Sequence, residues 1–129
     1  MKRLLVILAA FFFIACQAQS ETASYRNLGP AELNHMLANK DFVFVNVHIP
    51  FEGDIAGTDL SIPYDQITDS DNLALLPSDK DAKIVLYCRS GRMSEIAANA
   101  LVGLDYTNIW NLDGGMIEWE RQGFEIVGR

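Results

Sequence analysis

The chain has 129 residues, the length of one domain, and half of them are apolar, enough for a single core. Its formal net charge of -7 opposes binding to a nucleic-acid backbone, which needs a basic footprint. The two cysteines, Cys16 and Cys88, are too few for a disulfide framework, and with Cys16 set aside in the N-terminal segment, one cysteine and two separated histidines cannot make a four-ligand zinc site.

Lys2 and Arg3 precede an uncharged apolar run from Leu4 to Ala15. The run is shorter than the roughly 20 residues a membrane span needs, and its length and flanks predict an export signal over residues 1–15. Phe13-Ile14-Ala15-Cys16 resembles the signal box of lipoproteins, with Phe13 where Leu is usual. That resemblance implies cleavage before Cys16, lipidation of Cys16, and a periplasmic protein anchored to the membrane. Cleavage after Ala18 or Ser20 would instead release a soluble periplasmic protein. Residues 16–24 are polar and small and read as a tether, leaving 25–129 as the folded domain, expected to be a monomer.

Pro30 opens the first helix at a position where its missing N–H costs nothing, and Leu33, Met36 and Leu37 share one face. Phe42 to Val47 is a continuously apolar strand, as expected when both faces are covered. Ile49 to Pro63 reads as a long irregular loop, and Tyr64 to Leu76 as short helical turns. Lys83 to Tyr87 is a second buried strand. Ser94 to Leu104 is a helix with Ile96, Ala97, Ala100 and Leu101 on its apolar face, closed by Gly103. Asn108 to Leu112 is a third strand and Met116 to Gln122 a last helix. Strands alternating with helices predict an α/β domain with a mainly parallel sheet.

The informative stretch is the end of the second buried strand, Tyr87-Cys88-Arg89-Ser90-Gly91-Arg92-Met93-Ser94. In α/β sheets ligands bind at the carboxyl ends of strands. The helix that follows supplies unpaired N–H groups and a partial positive charge, which stabilise an anion, including a thiolate. Gly91 allows the loop to turn its amides inward, and Arg89 and Arg92 add positive charge to an acidic protein. Cys88 is therefore a candidate nucleophile, in a setting that suits attack on sulfur or on phosphorus. An inert, buried strand-end cysteine is the bland alternative.

Cys88-Arg89-Ser90-Gly91-Arg92-Met93-Ser94 resembles the active-site loop of the rhodanese family. Asn111-Leu112-Asp113-Gly114-Gly115-Met116-Ile117-Glu118-Trp119 is similar to the family's closing Gly-Gly and Trp motif. Gly123-Phe124-Glu125-Ile126 is similar to its ending, and Leu28-Gly29-Pro30-Ala31-Glu32-Leu33 to its opening strand and helix. The resemblance spans about 25–127 and implies a three-layer α/β/α fold with a mainly parallel sheet. It implies a sulfurtransferase in which Cys88 takes a sulfane sulfur from thiosulfate or a persulfide. A thiophile (cyanide, a small thiol or a protein thiol) then removes it. The backbone from Arg89 through Ser90, Gly91, Arg92 and Met93 to Ser94 would hold the persulfide, and no metal or organic cofactor is implied.

Two departures stand out. The family's Asp-Val-Arg reads here Asn46-Val47-His48, and its Gly-His-Ile-Pro-Gly reads Gly53-Asp54-Ile55-Ala56-Gly57. The altered residues Asn46 and His48 stand where the family supports its loop from behind. Met93 replaces a frequent Arg, which makes the loop less basic. The related phosphatases carry an Arg six positions after the cysteine, where this chain has Ser94, which argues against phosphate-ester hydrolysis.

His48 falls beside Cys88 with no carboxylate partner evident in the sequence, so a catalytic role for it is not the first reading. His35 reads as a surface residue, Trp110 and Trp119 as core. The aspartates from Asp65 to Asp81 read as a solvated face, without the glycine and glutamate of a calcium loop. A persulfide carrier with little turnover is the alternative to the enzyme, and a redox-sensing thiol is a third, lacking a second cysteine to resolve it.

Overall fold

The computed structural model describes residues 24–129. The expected export signal, Cys16 and nearly all of the tether lie outside the described residues. The elements are β1 (Arg26–Leu28), α1 (Pro30–Leu37), β2 (Val43–Asn46), β3 (Leu60–Ser61), a 3-10 turn (Tyr64–Gln66), α2 (Ser70–Leu73), β4 (Ile84–Tyr87), α3 (Arg92–Gly103), β5 (Ile109–Leu112) and α4 (Gly115–Arg121). The five strands form one parallel sheet in the order β1-β5-β4-β2-β3.

Period-two alternation distributes the strand side chains to two cores. Val45, Ile84 and Leu86 face one cluster with Ala97, Ala98 and Leu101 of α3 and Ile67 beside the 3-10 turn. Phe44, Val85 and Tyr87 face the other with Leu33 of α1 and Met116 and Trp119 of α4. The central strands are thus covered on both faces, which explains their unbroken apolar sequence and gives the three-layer α/β/α architecture.

Four local expectations are corrected. The irregular loop from Ile49 to Pro63 contains β3, a two-residue edge strand paired to Val45 and Asn46. Helix α3 starts two residues early, at Arg92, because Gly91 at φ 101° already turns the chain into it. Its buried face is Ser94, Ala97, Ala98 and Leu101, while Ile96 is 44% exposed. The small side chains face in because α3 lies close over β4 and β5. Lastly, Gly103 is the final helical residue and not the left-handed stop. That stop is Asp105 at φ 69°, with Tyr106 N–H donating to Leu101 O and Asp105 N–H to Val102 O in a Schellman closure.

Candidate active site

Strand β4 delivers Cys88 to the carboxyl edge of the sheet, where Val47 N–H donates to Tyr87 O at 2.9 Å and extends the β2–β4 pairing by one residue. Cys88 is 1% exposed. The loop turns at Gly91, whose left-handed conformation aims its N–H at Cys88 Sγ, 3.0 Å away. Ser94 Oγ, in the first turn of α3, lies 3.4 Å from the same sulfur and 3.1 Å from Gly91 O, so its single proton serves one or the other. Glu95 N–H closes onto Gly91 O at 3.0 Å. The amides of Arg92, Met93 and Ser94, ahead of it, have no carbonyl four residues back within the helix. The sulfur therefore sits at the positive end of a 12-residue helix.

The start of α4 clamps this loop from the other side. Met116 N–H donates to Cys88 O at 2.9 Å and Ile117 N–H to Arg89 O at 3.0 Å. Approach this close is possible because residue 115 is glycine. A Cβ there would lie 2.5 Å from Cys88 O and 2.6 Å from Arg89 O.

The segment after β2 forms the flank. Asn46 is buried; its Nδ2 donates to Gly53 O at 3.0 Å and to Asp54 Oδ1 at 2.9 Å, and its Oδ1 accepts from His48 N–H at 3.0 Å. His48, with its side chain 8% exposed, places Nε2 3.1 Å from Glu52 Oε2, and its buried Nδ1 has no partner among the described residues. Glu52 also accepts from Arg89 Nη1, 3.2 Å from each carboxylate oxygen. Beneath, the Tyr87 hydroxyl lies 3.0 Å from Ile55 N, 2.7 Å from Thr58 Oγ1 and 3.2 Å from Asp54 Oδ1. Burial pushes this phenol well above the ordinary tyrosine value.

Of the residues singled out in the sequence, Cys88, Gly91 and Ser94 meet at the sulfur. Arg89 and Ser90 are exposed at the loop's crest, and Arg92 is exposed at the start of α3. Met93 packs its side chain against the first core. Asn46 and His48 flank the loop without a hydrogen bond to Sγ. Contrary to the expectation for His48, a carboxylate does face it, that of Glu52. Sequence reasoning missed Glu52 because three residues of irregular loop separate the pair, and only the fold of that loop brings them together. It also missed the Tyr87 hydroxyl, since a strand tyrosine reads as apolar filling. A pocket of about 540 Å³ opens beside the loop, with Phe51, Glu52, Arg89, Ile117, Glu120 and Arg129 in its walls. Cys88 itself does not line it.

A strand-end cysteine held by a glycine-turned loop at a helix start, in a parallel five-stranded sheet, defines a cysteine-centred α/β site. The rhodanese-like domain family matches residues 30–122, and the chain belongs to that family. It is 36% identical over 110 residues to a tRNA uridine(34) hydroxylase of Erwinia tasmaniensis, an alignment covering 82% of this chain and 31% of that protein. The chain thus spans under a third of the length of such curated relatives. Among solved structures, it resembles a rhodanese-related protein of Thermoplasma volcanium (TM-score 0.66, 28% identity, covering 80% of this chain and 98% of that one). It also resembles a rhodanese-like domain protein of Staphylococcus aureus (TM-score 0.61, 26% identity, covering 80% and 99%).

Proposed function

We propose that the chain is a sulfurtransferase that carries a sulfane sulfur on Cys88. The observation that supports this most is the Gly91 N–H donating to Cys88 Sγ at 3.0 Å, ahead of the first-turn amides of α3, which have no intrahelical partner. The Cys88 thiolate attacks the outer sulfur of thiosulfate. An S–S bond forms as the donor's S–S bond breaks, sulfite leaves with the bonding pair, and Cys88 becomes a persulfide. A persulfide donor reacts in the same way and leaves as its thiolate. The terminal sulfur is then attacked by cyanide or a thiol, and Cys88 returns as thiolate. The added sulfur carries its negative charge outward, toward the amides of Arg92, Met93 and Ser94, so the helix start stabilises intermediate and leaving thiolate alike. Only the rhodanese chemistry is carried over from the relatives. The net charge of -7 gives no support for binding tRNA.

The test is intact-protein mass after incubation with thiosulfate, then with cyanide, for the native protein and Cys88→Ser. The native protein gains one sulfur and releases it as thiocyanate over repeated cycles, and the variant gains none. A persulfide that forms without turnover selects the carrier reading. Absence of any uptake from thiosulfate and from a persulfide donor refutes sulfur transfer.

A further inference from the structure

A loop with Arg89 and Arg92 at its crest would by itself be a receptor for a small dianion. Arg89 is already occupied, because its Nη1 lies 3.2 Å from both oxygens of Glu52. Glu52 Oε2 is also 3.1 Å from Nε2 of the nearly buried His48. The neighbouring backbone is fixed too: Asn46 Nδ2 binds Gly53 O, and Asp54 exchanges two backbone hydrogen bonds with Val127, at 2.8 and 2.7 Å. The carboxylate is therefore in place before a donor arrives. The adjoining pocket has the same character. Its second arginine, Arg129, is paired with Glu120, so its two acids and two bases cancel. The remaining wall offers Phe51 and Ile117, both more than half exposed.

We propose that Glu52 sets donor selectivity by holding the Arg89 guanidinium away from the donor's anionic group. This deepens the sulfurtransferase reading and rests on it. A dianion such as thiosulfate gains little from an arginine already neutralised by a fixed carboxylate, and it meets that carboxylate's own charge. A thiol-derived persulfide of low charge, with an apolar body to lay against Phe51 and Ile117, incurs neither penalty. The favoured donor is of that class.

The experiment compares the native protein, Glu52→Gln, and Glu52→Gln combined with Arg89→Gln. The donors are thiosulfate and the persulfide of N-acetylcysteine methyl ester, which has no other charge. Glu52→Gln is expected to raise kcat/KM for thiosulfate about fivefold, the upper range for one exposed ion pair, and to leave the ester persulfide within about twofold. The gain disappears in the double variant and shrinks with added salt. Equal changes for both donors, or a gain that survives loss of Arg89, overturns the proposal. Glu52→Ala serves as a second variant and reads the same way. The ratio of Cys88 alkylation by iodoacetate to that by iodoacetamide gives a readout that needs no sulfur transfer. It should rise by a similar factor in Glu52→Gln, and an unchanged ratio refutes control of Arg89 by Glu52. If no donor loads Cys88 in any variant, sulfur transfer fails while the alkylation ratio still decides the role of Glu52.

Discussion

Replacing Gly115 by alanine should unfasten the loop that carries Cys88. The added Cβ would lie 2.5 Å from Cys88 O and 2.6 Å from Arg89 O, under the 3.0 Å that real Cβ atoms keep, and both obstacles are backbone. Residue 115 also sits at φ 59°, where an L side chain costs about 1–2 kcal/mol. Relief of the clash requires α4 to withdraw. That breaks Met116 N–H to Cys88 O and Ile117 N–H to Arg89 O, each worth about 0.5–1.5 kcal/mol net. Together these give a loss of about 2–5 kcal/mol. Urea unfolding followed by tryptophan fluorescence should then show a midpoint lowered by about 2 M for a slope of ~1.5 kcal/mol/M. Displacement of the loop by a fraction of an ångström to ~1 Å should reduce persulfide formation by about 100-fold. Gly103→Ala is the control. Its Cβ meets nothing within 4 Å and its φ is not positive, so it should leave stability equal or improve it by up to about 1 kcal/mol. A Gly115→Ala protein within about 1 kcal/mol of native stability and with normal sulfur uptake would refute the clamp.

Tyr87→Phe removes a hydroxyl that accepts from the buried Ile55 N–H, and should cost about 1–3 kcal/mol in chemical denaturation. The same hydroxyl predicts alkaline sensitivity. Its pKa is raised by burial, so the folded state disfavours the phenolate; the stabilisation is complete below the ordinary value of 10.0 and is lost as pH rises above it. The stability gap between native protein and Tyr87→Phe should therefore narrow above pH 10, and a gap that widens would contradict the sign. Asn46→Asp restores the family's usual acid yet should destabilise. The new carboxylate would face Gly53 O and Asp54 Oδ1, where Nδ2 now donates. A loss of about 2–4 kcal/mol at pH 7, partly recovered at pH 4 as the carboxyl groups protonate, is expected in thermal denaturation.

The Asn46 result would explain a departure that looks like a loss in the sequence alone. The family's acid at position 46 and its histidine at position 54 are both changed here, which reads as weakened support for the loop. In the folded chain Asn46 pairs with Asp54, so the two changes answer each other and the segment stays hydrogen-bonded. Neither residue carries that information singly, because they are eight positions apart in irregular backbone.

The sequence by itself determined the strand and helix order, the buried central strands, and Cys88 at a strand end before a glycine turn. These follow from local propensity and short-period hydrophobic pattern, which act over a few neighbours. It misassigned Ile96 to the core. Which stripe of a helix faces the sheet is set by how the helix docks, and here the stripe is Ser94, Ala97, Ala98 and Leu101, at i, i+3, i+4 and i+7, which leaves Ile96 off it. It placed the left-handed stop at Gly103, although Asp105 can adopt that conformation when the closure demands it. Tertiary structure alone decided that α4 clamps the loop through Gly115, that Tyr87 satisfies a buried amide, and that Glu52 joins His48 to Arg89. Each is a contact between segments distant in sequence or joined by irregular chain, where no periodicity links the partners. Its strength depends on approach to within a few tenths of an ångström.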